Sequence, residues 1–199
     1  MSQAFMHAVK KRRSQYALGN NLPLSQDEVT ALIQEAVKHS PSAFNSQSTR
    51  AVVLYGAQHA KYWDFVKEAL RKVVPVENFA ASEARINSFA AGAGTVLFYE
   101  DQDVVAGLQK QYALYAENFP VWSEQASGMA QFAVWTALAE AGIGASLQHY
   151  NPLADAVIAA EWNIPASWKL RAQMPFGAHQ GDFGDKGFIP DTERFRVFA

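Results

Sequence analysis

Apolar residues recur at helical spacing most clearly from Val29 through Leu32, Ile33, Ala36 and Val37, behind Ser25 and Glu28, whose types and spacing make a capping box. The predicted helix stops before Pro41, because proline disfavours helical geometry at Ser40. A first helix fits residues 2–13, with Ser2 as its cap and Phe5, Met6 and Val9 on one side. It ends in the basic run from Lys10 to Arg13, where a helix C-terminus favours cations. Apolar runs over residues 51–55 and 95–99 predict buried strands, the second closed by Glu100 and Asp101, and residues 170–176 read as a last core strand. Further helices are predicted over residues 58–73 and 76–89. A long helix over residues 123–141 carries Ala126, Met129, Ala130, Ala133 and Leu138 and ends at Gly142 and Gly144. Its broad apolar surface predicts burial on more than one side. Asn151 and Pro152 read as cap and first turn of a helix reaching residue 161, and the tail from Gly177 reads as loop.

Helices outweigh strands in this pattern, and no internal repeat or polar linker divides it, so residues 1–199 are expected to form one α+β domain. At 199 residues with 49% hydrophobic side chains, the chain can bury a core without metals or cross-links. The formal net charge of −2 comes from acids and bases mixed along the chain, which argues against nucleic acid or an anionic membrane as partner. With no cysteine, disulfides, thiolate metal sites, iron–sulfur clusters and catalytic thiols are excluded. Any redox chemistry must therefore come from a bound cofactor. No apolar run reaches membrane-spanning length, and no signal-peptide pattern follows the basic N-terminal residues, so a cytoplasmic location is expected.

Dinucleotide, P-loop, zinc-protease and serine-hydrolase motifs are all missing, and the five histidines show no ligand-type spacing, so no metal site is expected. Three segments carry positive signals. Arg12-Arg13-Ser14, followed by Gln15-Tyr16, offers guanidinium groups and a hydroxyl suited to a phosphate dianion. Taken alone, such a cluster more often does no more than complement a helix macrodipole. The loop Pro41-Ser42-Ala43-Phe44-Asn45-Ser46-Gln47 offers amide donors and acceptors of the kind that meet the polar edge of an isoalloxazine ring, although most serine-rich turns have no such role. Gly142-Ile143-Gly144-Ala145-Ser146-Leu147-Gln148-His149-Tyr150-Asn151-Pro152 opens on glycines that would let its backbone lie against a flat ligand, or simply connect two helices.

In this order and at these separations, with Phe-Ala-Val-Trp at residues 132–135, the segments resemble the nitroreductase superfamily, most closely its short subgroup named after the fatty-acid repression mutant proteins. The resemblance runs from Lys11 to Phe198. It implies a nitroreductase-like fold, a central mixed β-sheet surrounded by helices, in an intertwined homodimer with two identical flavin sites built across the subunit interface. It also implies non-covalent FMN held by Arg12, Arg13, Ser14, Tyr16, Ser42, Asn45, Gln47, Leu147, Gln148, His149 and Lys186. The stretch Leu147 to His149 would bring a backbone N–H to the reactive flavin nitrogen. Phe44, Tyr115, Phe119 and Trp122 would lie near the substrate, although Tyr112, Tyr115, Phe119 and Trp122 also have the spacing of a core stripe. Tyr16 departs from many members, which carry a basic residue there to stabilise reduced flavin. No side chain is expected to be catalytic, because the flavin would pass hydride from NAD(P)H to small electron-poor acceptors such as nitroaromatics or quinones, by a ping-pong route. The main alternative is a non-catalytic or regulatory flavin-fold protein in stress or lipid-linked signalling. Dehalogenating and flavin-degrading relatives form another, without sequence signals here.

Overall fold

The computed structural model describes residues 2–198, with only the backbone of Ser2, so the cap expected of Ser2 lies outside the described residues. Helix α1 (Ser2–Lys11) ends before Arg12 and Arg13, two residues earlier than expected, and β1 (Leu18–Gly19) follows. Helix α2 (Gln26–Lys38) is capped as its pattern predicts: Ser25 Oγ accepts the Glu28 N–H, and the Glu28 carboxylate accepts the Ser25 N–H at 2.9 Å. Strand β2 (Thr49–Tyr55) leads into α3 (Gly56–Arg71), α4 (Val76–Ala90) and β3 (Gly94–Asp101).

Helix α5 (Gln102–Gln111) was not legible in advance, since its sequence holds Gly107 and few apolar positions. It starts because Asp101, the last residue of β3, accepts the Asp103 N–H and caps it. Helix α6 (Phe119–Glu140) begins four residues before the expected start, with Pro120 in its first turn. Strand β4 (Ile143–Ala145), helix α7 (Asp155–Glu161), strand β5 (Trp168–His179) and a short α8 (Asp191–Arg194) complete the chain. The expectation that Asn151-Pro152 caps α7 fails. Asn151 instead donates to the Leu170 carbonyl and accepts from Gln173 at 3.1 Å, so its side chain ties a turn to β5 and the helix starts later. Gly177 to His179 continue β5 where loop was expected, because Ala178 pairs with both β1 and β4.

The sheet runs β1-β5-β3-β2, with β4 also on β5, and every ladder between these strands is antiparallel. The parallel component of the expected mixed sheet is a single bridge between Ser14 and Ala145 among the described residues. Strand β3 is apolar throughout because both its faces are covered. Val96 and Phe98 point into a core built with α2 and α6, including Ile33, Val134 and Leu138. Leu97 and Tyr99 point the other way, to Tyr62 and Trp63 of α3, Phe89 of α4 and Ile158 of α7. In that second core His59 lies buried between the Thr95 hydroxyl at 2.8 Å and the Ala90 carbonyl at 3.2 Å, a satisfied core histidine whose pKa is lowered by burial. No helix among the described residues is long and apolar enough to cross a membrane.

Candidate functional site

The residues singled out by sequence fall into two groups. The first gathers where the chain leaves α1. Arg12 turns out of the helix and stacks its guanidinium 4.3 Å over the Trp135 ring, while Trp135 Nε1 donates to the Ala145 carbonyl at 3.1 Å. The Gln15 N–H donates to the same carbonyl at 2.9 Å, which seats Ser14 beside β4. Gly144 lets Gln15 lie close by, since a Cβ on it would push the Gln15 side-chain amide aside. Arg13 donates to the Gly184 carbonyl at 2.6 Å, bringing the tail that carries Lys186 back to this corner. Among the described residues no carboxylate lies within ion-pair distance of Arg12, Arg13 or Lys186, whereas the adjacent Lys11 is paired with Glu140 at 3.4 Å. Burial, and next the charge of Arg13, lower the pKa of Arg12. Arg12 Nε and Gln15 Oε1 are buried without hydrogen-bond partners among the described residues. Uncompensated cations with unused donors suit an anion such as a phosphate.

The stretch after β4 lines the same corner. Ser146 and Gln148 donate backbone N–H groups to Pro175 and Gln173 of β5, the second at 2.7 Å. Alternation along an extended segment turns the Leu147 and His149 N–H groups away from that strand. The backbone donor expected of this stretch thus narrows to Leu147 or His149, because that of Gln148 is committed. Gln173, fully buried, fixes the segment further by accepting the Tyr150 N–H at 2.7 Å.

The second group lies around the loop before β2. Phe44, Asn45 and Gln47 all have positive φ, at 56°, 50° and 49°, an unusual concentration for residues other than glycine. The Ser42 hydroxyl accepts the Gln47 N–H at 3.0 Å, which leaves its own proton free to donate, and the Asn45 and Gln47 side chains are exposed. Ser48 and Thr49 each donate a hydroxyl to the buried Glu100 carboxylate at 2.5 Å, anchoring the loop's C-terminal end. Burial raises the Glu100 pKa, opposed by those two hydrogen bonds. Phe44 packs on Tyr112 at 4.7 Å, Phe119 at 5.3 Å, Trp122 at 6.0 Å and Tyr115 at 6.1 Å between ring centres. These rings do not form one helical stripe: Tyr112 ends α5, Tyr115 sits in a short 3₁₀ turn and Phe119 opens α6. No local pattern marks Glu100 as an anchor; it reads only as the end of a strand.

The groups stand at opposite ends of the molecule. Trp135, under Arg12, and Trp122, beside Phe44, are about 20 Å apart along α6 at 1.5 Å per residue. The sheet agrees, since Thr49 pairs with Glu100 and Glu100 with Lys169 at the start of β5, while Ala145 pairs with Phe176 near its end. Between them an apolar groove of about 510 Å³ runs along α6, lined by Phe5, Ala36, Pro41, Met129, Phe132 and Ala133.

Comparison with known proteins gives this arrangement a family. The model of the nitroreductase family matches residues 9–178. The chain belongs to the nitroreductase family. It is 36% identical over 194 residues to HBN1 of Saccharomyces cerevisiae, covering 96% of each, and 32% identical over 188 residues to nitroreductase FRM2 of the same yeast, covering 93% of each. The structure of nitroreductase CinD from Lactococcus lactis in complex with chloramphenicol is 49% identical, with a TM-score of 0.90 over 98% of this chain and all of that one. The same enzyme has also been solved with 4-nitrophenol, with a TM-score of 0.89 and 50% identity over 98% of this chain and all of that one. A more distant fold neighbour from Desulfovibrio desulfuricans, 20% identical with a TM-score of 0.70 over 96% of this chain and 94% of that one, holds FMN. This nitroreductase is accordingly an oxidoreductase of the nitroreductase type, α+β in fold, as its segments suggested.

Proposed function

We propose that two copies of this nitroreductase pair along α6 and build two equal sites, each joining the cationic corner of one copy to the loop 42–47 of the other. Each site holds FMN without a covalent bond. The observation that carries this reading is the corner itself: guanidinium groups with no carboxylate partner among the described residues, an Arg12 Nε without a partner among them, and a backbone edge beside Gly144. The residues fit the cofactor. Arg12, Arg13, Ser14 and Lys186 would hold the phosphate and ribityl chain, Leu147 to His149 would lie over the ring, and Ser42, Asn45 and Gln47 would meet its polar edge. The apolar groove with exposed Met129 and Phe132 supports a second copy on this face, and burial there would bring the separated groups together.

Bound flavin would supply hydride transfer, taking electrons from NAD(P)H and passing them to a small electron-poor acceptor in a second half-reaction. The protein's own part is to hold the phosphate, shield the ring and offer a flat apolar wall to the acceptor. Phe44, Tyr115, Phe119 and Trp122 are suited to stack on a nitroaromatic or quinone. Complexes of CinD with chloramphenicol and 4-nitrophenol, both nitroaromatics, support that class. The test is the visible spectrum of purified protein before and after NADH or NADPH without air. Yellow bands that bleach are expected; a colourless protein that takes up no added FMN would sink the enzymatic reading in favour of a binding or regulatory role.

A further inference from the structure

A cavity of about 380 Å³ opens on the face of the sheet away from α6, between α7 and the first residues of α5 and β5, apart from both groups described above. Ile158, Ile164 and the Trp168 ring give it apolar walls, and the Trp168 and Tyr99 rings lie 5.9 Å apart. Tyr99 and Asp155 bring polar atoms to it. The Tyr99 hydroxyl, on a side chain only 3% exposed, and Asp155 Oδ1 are buried with no hydrogen-bond partner among the described residues. So is the hydroxyl of Tyr62, fully buried in the same core. Burial raises the pKa of all three groups, and the charge of Asp155 raises both tyrosines further, for Tyr62 after that of Tyr99. The carboxylate therefore stands within electrostatic reach of hydroxyls that it does not bond.

The other polar groups around the cavity are committed elsewhere. Gln102 donates its side-chain N–H to the Glu100 carbonyl at 3.0 Å, and Arg50, 5.8 Å from the centre of the Trp168 ring, is paired with Asp101 at 3.0 Å. Lys169 pairs with Glu100 in the ladder of β5 on β3, so alternation turns its side chain to the opposite face from Trp168 and Leu170. Asp155 is thus the cavity's one charge without a counter-ion among the described residues. Water in the cavity would satisfy the hydroxyls but leave that charge uncompensated. An ammonium group answers every feature: it donates to the carboxylate and to a hydroxyl oxygen, and aromatic faces attract it. We propose that this cavity is a second binding site, for a small primary amine whose ammonium sits between Asp155 and the Tyr99 hydroxyl and whose apolar body lies against Trp168. The site stands independently of the flavin reading, and nothing in it takes part in hydride transfer.

The test is calorimetric titration of the protein, with and without added FMN, using 2-phenylethylammonium and its neutral counterpart 2-phenylethanol. The amine is expected to bind with the same affinity whether or not FMN is present, and the alcohol about tenfold or more weaker. Asp155→Asn should weaken the amine by about tenfold or more, and Tyr99→Phe and Trp168→Leu by about threefold each. Tyr99→Phe removes only a hydroxyl without a partner, so it should fold as the wild type does and keeps the test decisive if Asp155→Asn does not fold. No binding of the amine, equal affinity for the alcohol, competition by FMN, or undiminished affinity in Tyr99→Phe would each overturn the site.

Discussion

The cationic corner and the loop before β2 are both candidate halves of one site, yet they are held in opposite ways. Among the described residues the corner is built from groups that lack partners: Arg12 Nε and Gln15 Oε1 are buried without hydrogen bonds, and Arg12 and Arg13 pair with no acid. The loop satisfies itself. Its strained backbone is fastened by Ser42, by the buried Glu100 and by the rings around Phe44. The difference marks the corner as the half that would gain from a ligand. Buried polar groups without partners cost free energy until something binds, whereas a loop tied to its own scaffold is pre-organised to meet a ligand presented from elsewhere.

The largest effect should come from the corner. Removing two charged contacts in the Arg12→Ala, Lys186→Ala double variant is expected to weaken FMN retention by about 3–5 kcal/mol, a hundredfold or more in dissociation constant. Flavin titration followed by fluorescence measures it, and undiminished flavin content would remove the phosphate role.

Breaking the loop should first cost stability. Glu100→Ala strands the Ser48 hydroxyl in a fully buried position and is expected to destabilise by about 2–4 kcal/mol, against about 1 kcal/mol for Glu100→Gln, which keeps an acceptor. Chemical denaturation compares the two; equal losses would mean that Glu100 anchors nothing. The pH dependence has a definite sign. Because burial raises the folded-state pKa of Glu100, the native protein binds the extra proton, so this contribution to stability is present below the ordinary carboxylate value and is lost as pH rises through the raised one. Glu100→Gln should flatten that part of the stability profile.

The smallest effect sharpens the backbone argument. At Phe44, φ is 56°, where a glycine carries no steric penalty. Phe44→Gly should therefore be at least as stable as Phe44→Ala, reversing the usual advantage of alanine by about 1 kcal/mol. Thermal unfolding of both decides, and a less stable glycine variant would show that the left-handed turn is not under strain.

How much of this was legible in advance varied with the range of the forces involved. Val29, Ile33 and the Ser25–Glu28 box declared α2 because caps and helical faces are set by residues within a few positions of one another. The apolar runs around Val53 and Leu97 announced β2 and β3 for the same reason, since a strand covered on both faces has no polar positions to hide it. Helix α5 was missed because its start rests on Asp101 capping at the end of a strand, and the role of Asn151 was misjudged because its partners, Leu170 and Gln173, lie on β5. The Arg-Arg-Ser, Ser-rich and glycine-opened segments were visible as chemistry, but not as two groups at opposite ends of α6.

By itself, the sequence determined the types of its stronger elements, the absence of thiol chemistry, and the residue kinds from which a phosphate and ring site could be made. Only the tertiary structure decided that Gln148 commits its N–H to Gln173, that Glu100 anchors the loop, and that the two candidate groups lie about 20 Å apart in one chain. The reason is that these relations follow from strand register and from packing between residues distant in the chain, for which no local periodicity or propensity carries a signal.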